Sequence, residues 1–166
     1  MVVAARRATV DAFNERASLS RREGVTRVAR LGPLATVAVG DPVVCTRNRY
    51  MDGLFNGLLG RVTDIDPLGV VHVHWDGERV PRPLDPAAGS DVELAYAITC
   101  HRAQGSAAAN VIVVVENSPL VTREWLYTAM TRAKETVVLV CDEAELSRAV
   151  ARRSRRVTGF RLSPRT

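Results

Sequence analysis

Lysine is almost absent from this 166-residue chain: Lys134 is the only one among 23 lysine and arginine residues. A phosphate-cradling P-loop requires Gly-x-x-x-x-Gly-Lys-Ser/Thr, and Lys134 stands instead in Arg132-Ala133-Lys134-Glu135. The sequence therefore holds no P-loop, and the chain is not a self-sufficient P-loop ATPase. Cysteine is also sparse. Cys45, Cys100 and Cys141 are too few and too scattered for a disulfide framework or a zinc site. Long apolar runs are missing: Val111–Val115 and Val137–Cys141 fall far short of the roughly 20 residues of a membrane span. Arg6, Arg7 and Asp11 deprive the opening residues of a signal peptide's apolar core. No membrane partner and no metal are expected, and a reducing, cytoplasmic compartment is the default.

What is present is ordinary for one soluble domain. Hydrophobic residues make up 46% and charged residues 25%, which excludes a disordered tail, a collagen-like fibre and a coiled coil. The net charge of +5 points mildly toward a polyanion such as nucleic acid. Using arginine in place of lysine is first of all a matter of genomic codon usage.

Along the chain the texture changes twice. Val2–Ala5 reads as a short buried strand, followed by an arginine-rich helical stretch to about Arg22 that includes Asp11, Phe13 and Asn14. From Val37 to Pro86 come short β-type runs: Pro42–Thr46, Gly60–Ile65, Val70–Trp75 and Arg79–Val80. Turn residues separate them, at Asn56-Gly57, Asp66-Pro67-Leu68-Gly69 and Asp76-Gly77. This block has the pattern of a small, strongly bent antiparallel barrel. Strand and helix then alternate again. Glu93–Thr99 reads as one strand, Asn110–Val115 as a strand buried on both faces, and Thr122–Lys134 as a helix with Leu126, Met130 and Ala133 on one stripe. Thr136–Cys141 reads as a further buried strand, with Asp142 capping a last helix. Arg148–Thr166 carries seven arginines and no acid, as in a partly ordered tail. The expected fold class is α/β: a parallel sheet interrupted by a β insertion.

Two segments carry chemistry. Thr99, His101, Arg102, Gln104 and Ser106 place hydroxyl, imidazole, guanidinium and amide donors just after a strand. That is where open α/β sheets seat ligands, and such donors suit phosphate. Gly105 lets a backbone approach closely; the alternative is a polar loop without a binding role. Arg132, late on a helix and shortly before a strand, could reach a phosphate presented by another domain, as an arginine finger does. A salt bridge or a solvated last turn is the plainer alternative. Other features weigh less. His72 and His74 share a strand face but lack a third metal ligand. Gly53, Gly57 and Gly60 flank hairpin turns rather than a helix. The run Val137–Glu143 mimics a magnesium-holding motif, yet reads better as a strand and a capped helix.

Together these segments resemble the C-terminal motor domain of superfamily 1 DNA helicases, in the RecD-like branch (the exodeoxyribonuclease V alpha-subunit family) and the related helicase part of conjugative relaxases. The family pattern Tyr-Ala-x-Thr-x-His-Lys-x-Gln-Gly is matched at Tyr96, Ala97, Thr99, His101, Gln104 and Gly105, with Arg102 where lysine is usual. Leu-Tyr-x-Ala-x-Thr-Arg-Ala is matched at Leu126, Tyr127, Ala129, Thr131, Arg132 and Ala133. Val39-Gly40-Asp41-Pro42-Val43-Val44, Thr46-Arg47-Asn48 and Phe55-Asn56-Gly57 resemble the entry to the family's SH3-like insertion. The resemblance implies a discontinuous RecA-like domain at 1–35 and 91–152, an SH3-like β-barrel at 36–90 and a basic tail at 153–166. It implies DNA contact by Thr99, His101 and Arg102, with Arg47, Asn48 and Asn56 on the insertion over the strand. Gln104 and Gly105 would link DNA to nucleotide, Arg132 would stabilise the γ-phosphate, and Arg6 or Arg7 would face the nucleotide. Ala107 stands where many relatives carry an acid expected to face the nucleotide sugar. The complete protein would use ATP and Mg2+, neither bound by this piece alone. The implied partners are single-stranded DNA and the P-loop-containing N-terminal motor domain. The rival readings are a non-enzymatic nucleic-acid-binding module and a degenerate remnant serving as an interaction platform.

Overall fold

The computed structural model describes residues 1–22, 24–25, 27–31 and 35–154. Its first sheet is parallel. Strand β1 (Val2–Ala4) lies between β9 (Ala97–Thr99) and β10 (Ala108–Val114), and β11 (Ala133–Val140) pairs outside β10. Helix α1 (Arg7–Ser20) packs on β1 and β9, where Val10 meets Ala4 and Ala97. Helices α2 (Arg123–Met130) and α3 (Glu143–Ala151) cover the opposite face, over Val111, Val113 and Val3. The Thr122 hydroxyl caps α2 by accepting the Trp125 N–H at 3.2 Å.

The other sheets are antiparallel. Strands β2 (Val28–Leu31) and β3 (Ala35–Ala38) form a hairpin. Strands β4 (Pro42–Cys45), β5 (Leu59–Ile65), β6 (Val71–Trp75), β7 (Arg82–Pro83) and β8 (Val92–Leu94) form a five-stranded sheet in the order β7-β6-β5-β4-β8. Both pack into one core with Ala29, Leu31, Val37, Ile65 and Trp75. Gly60 is required there. A Cβ would come within 2.7 Å of the Trp75 ring and 2.8 Å of Val73 Cγ1.

Several sequence expectations need correction. Glu93–Thr99 is not one strand: Val92–Leu94 joins the antiparallel sheet and Ala97–Thr99 the parallel one. Ala95 and Tyr96 are the crossing, with the Ala95 N–H on the Pro42 carbonyl and the Val2 N–H on the Tyr96 carbonyl. Residue 36 lies within β3, and Ala29, Leu31 and Val37 of the β2–β3 pair join the antiparallel core. Strand β7 lies at Arg82–Pro83, not at Arg79–Val80. Strand β10 is buried on one face only. Ile112, Val138 and Val140 are exposed, because α1 reaches only the β1–β9 side. Helix α2 stops at Met130, so Arg132 lies in the turn before β11, Met130 is partly exposed and Ala133 is already strand. Asp142 occupies the N-cap position of α3 without a side-chain hydrogen bond. Helix α3 runs through Ala151 and Arg152 is pinned to the Ser118 and Val121 carbonyls, so the chain is ordered beyond Arg148. Residues 155–166 of the expected tail lie outside the described residues.

Candidate nucleic-acid interface

The segment after β9 leaves the carboxyl end of that strand at Thr99 and returns to the amino end of β10 at Ala108. The Ala103 N–H closes its first turn on the Thr99 carbonyl at 3.0 Å, and Gly105 takes a φ of 88°. Ala103 is buried, while His101 and Gln104 are exposed. The buried anchor thus turns the two polar side chains outward.

Arg132 meets this loop from the turn before β11. Its Nη1 donates to the carbonyls of Ala103 (3.5 Å) and Ser106 (3.4 Å), and its Nε to the Thr128 carbonyl (3.1 Å). The backbone joins as well, with the Ala108 N–H on the Arg132 carbonyl at 3.0 Å. All these acceptors are neutral oxygens, so the bonds hold the guanidinium in place and leave its charge uncompensated by them. Cys100 lies close by. Burial pushes its thiol up, against the pull of Arg132, so it stays a protonated core residue rather than a nucleophile.

Arg102 has a different environment. Its Nη1 lies 2.5 Å from Glu93 Oε2, and Arg7 Nη2 approaches the same oxygen at 2.8 Å. Burial disfavours the Glu93 carboxylate, but hydrogen bonds from Arg7 and Arg102 outweigh it and hold its pKa below the ordinary value. Arg7 also pairs with Asp11. Arg6 stands elsewhere. It follows the carboxyl end of β1, whereas Arg132 precedes the amino end of β11, so the two stand at opposite ends of the parallel strands. Arg6 donates to the Asn117 carbonyl, and Glu116 accepts the Ala5 and Arg6 N–H groups and the Thr9 hydroxyl. The structure does not bring Arg6 to Arg132.

The loop between β4 and β5 reaches the segment that Arg132 bonds. The Ser106 hydroxyl donates to the Gly57 carbonyl at 3.2 Å, and a Cβ on Gly57 (φ 88°) would lie 3.2 Å from the Arg102 carbonyl. Asn48 accepts the Asn56 N–H at 2.8 Å, and Arg47 is largely exposed, 3.7 Å from Asp91. The β4–β5 loop that carries Arg47, Asn48 and Asn56 thus touches the Arg102–Ser106 segment through Gly57, and Arg132 bonds that segment at Ala103 and Ser106.

A second tie binds the sheets. Buried Asp41 accepts the Ala38 N–H at 2.9 Å and the Tyr96 hydroxyl at 2.6 Å. Burial and this hydrogen bond push the Tyr96 phenol up to about 12, with Arg21 6.0 Å from its ring centre. A raised folded-state pKa stabilises fully below the ordinary phenol value of about 10 and is lost as pH rises through the folded value. The chain is therefore expected to lose stability between pH 10 and about 12, and Tyr96→Phe to flatten that loss. Urea midpoints across this range check it; equal slopes for the two proteins would refute the link.

No group of three or more His, Cys, Asp and Glu among the described residues is placed to hold a metal, and no described helix is long and apolar enough to cross a membrane. Sequence reasoning passed over Glu93, Glu116 and Asn14 as functional or positioning groups. Only Asn14 left a signal, because asparagine inside a helix suggests a bonded side chain.

Comparison with known proteins fits this geometry. Residues 94–140 match the UvrD-like helicase C-terminal domain. The chain is 42% identical over 127 residues to the RecBCD enzyme subunit RecD of Mycobacterium tuberculosis, covering 74% of this chain and 21% of that protein. It is 37% identical over 115 residues to the ATP-dependent RecD2 DNA helicase of Deinococcus radiodurans, covering 68% and 15%. A Bacteroides Pif1 helicase solved with ADP-AlF3 and single-stranded DNA superposes with a TM-score of 0.58 at 21% identity, over 89% of this chain and 43% of that one. At that identity the likeness concerns the fold. In residues 94–140 the chain is thus similar to the C-terminal domain of UvrD-like helicases, and over most of its length to part of RecD. It spans about a fifth of the length of the RecD subunit it matches.

Proposed function

We propose that this chain supplies the second half of an ATP-driven single-stranded-DNA motor: a DNA grip and a transition-state arginine, with the P-loop and Mg2+ contributed by a separate N-terminal domain. In this reading the parallel unit is a RecA-like half and the antiparallel unit an SH3-like insertion lying over the DNA strand. Thr99, His101, Gln104, Arg47, Asn48 and Asn56 face DNA. The observation that carries the proposal is the Arg132 guanidinium, bonded to the Ala103 and Ser106 carbonyls of the DNA-facing loop. A γ-phosphate that draws Arg132 away removes those bonds, so the nucleotide state biases the loop that holds DNA. The two free, buried cysteines, Cys45 and Cys100, suit a reducing cytoplasm.

Fluorescence anisotropy with a labelled 20-mer of thymidylate tests the DNA half of the proposal. Binding by the purified chain should be measurable at low salt and weaken steeply as salt rises, because arginine–phosphate contacts release counterions. Absence of binding at low salt would favour an interaction platform instead. Glu93→Gln sharpens the test. Removing the carboxylate frees Arg102 and leaves Arg7 paired with Asp11 alone, so affinity should rise several-fold and the salt slope should steepen by about one contact. Unchanged or weaker binding would show that these arginines do not reach DNA.

A further inference from the structure

The loop between β4 and β5 presents an aromatic pair to solvent. Tyr50 is 73% exposed, Phe55 51% and the intervening Met51 98%. The loop is well pinned. Arg49 reaches Asp52 at 2.5 Å, Asp91 at 3.3 Å and the Ala87 carbonyl at 3.1 Å. Asn48 holds both ends, donating to the Tyr50 hydroxyl at 3.1 Å and accepting the Asn56 N–H at 2.8 Å, while buried Leu54 anchors the centre. The two rings meet edge-on, with centroids 6.1 Å apart and planes at 69°. In such a pair each ring keeps at least one face out of the contact. The foot of the loop touches the Arg102–Ser106 segment through Gly57.

We infer that Tyr50 and Phe55 form a stacking platform for unpaired nucleobases of the single strand gripped by the neighbouring loop. This rests on the DNA reading above. Every base has a π-face, so stacking on preset aromatics adds affinity without sequence choice. The largely exposed Arg47 guanidinium on the same loop gives the phosphates a counter-charge, which favours a nucleic acid over a protein partner. Holding the rings through Asn48 and Arg49 lowers the ordering cost of binding.

The test compares a labelled thymidylate 20-mer with an abasic 20-mer of equal phosphate charge, using the full chain. The wild type should prefer the thymidylate strand by about tenfold or more, on the scale of base–aromatic stacking. Tyr50→Leu/Phe55→Leu should abolish that preference while leaving abasic binding and the salt slope unchanged. Both side chains are solvent-facing, and a melting curve verifies that the variant is folded. Wild-type binding that is equal for the two strands, or a preference that survives in the variant, would overturn the platform and leave the DNA reading standing. A wild type that binds neither strand would overturn both.

Discussion

If this chain is the arginine-bearing half of a DNA motor, Arg132→Ala in the assembly with its P-loop half is expected to slow ATP turnover by on the order of 10^3-fold while single-stranded-DNA affinity stays within about threefold. The size follows from what an arginine does at a transferring phosphoryl group: a planar fork neutralises charge that develops only in the transition state. Arg132 suits that role because its present partners, the Thr128, Ala103 and Ser106 carbonyls, are neutral. They can be exchanged for a phosphate without stranding a buried carboxylate. Arg132→Lys keeps the charge but not the fork, and should recover only part of the rate. Turnover, thymidylate affinity and melting temperature are measured on the same preparations. Undiminished turnover would remove Arg132 from the chemistry. Parallel loss of turnover and DNA affinity would instead make it a brace for the Ala103–Ser106 loop.

Asn14→Ala should cost about 3 kcal/mol of folding stability, the upper range for a single polar truncation. Asn14 is 8% exposed and fastens α1 to the crossing between the two sheets. Its Nδ2 donates to the carbonyls of Leu94 and Ala97, both at 3.0 Å, and its Oδ1 accepts the Ala97 N–H at 2.9 Å. Truncation leaves those backbone groups unpaired where water has little access, and each orphan costs roughly 1–3 kcal/mol before relaxation. Asn14→Asp keeps the acceptor but sets a carboxylate against two carbonyls, so its loss should be at least as large. Urea unfolding reads both through the midpoint at constant slope. A cost under about 1 kcal/mol would mean that another contact holds α1 to β9.

The parallel strands were legible because β-branched runs such as Val111–Val115 announce a buried sheet, and the residues of both motifs stand close to their expected elements. Other features depend on contacts distant in sequence. Nothing local breaks Glu93–Thr99. The break comes from Pro42 accepting at Ala95 and Asp41 accepting from Tyr96, more than fifty residues away. The Glu93 link to Arg7 and the Glu116 seat at the start of α1 likewise join residues far apart in the chain. Apolar composition alone cannot say whether a strand's second face is covered, so Ile112, Val138 and Val140 read as buried and stand exposed. For Arg132 the helical stripe extended too far, because Ala133 satisfies the spacing while already pairing with Ala108 as strand.

If this chain is one half of a motor, phosphate release depends on the other half. With ATP, Mg2+ and single-stranded DNA, the purified chain should release phosphate at background. DNA-stimulated turnover should appear when a P-loop-bearing N-terminal half is added, and should fail to appear when the added chain carries Arg132→Ala. Steady hydrolysis by the chain alone that survives repurification and vanishes with Arg132→Ala would show instead that it is a complete ATPase.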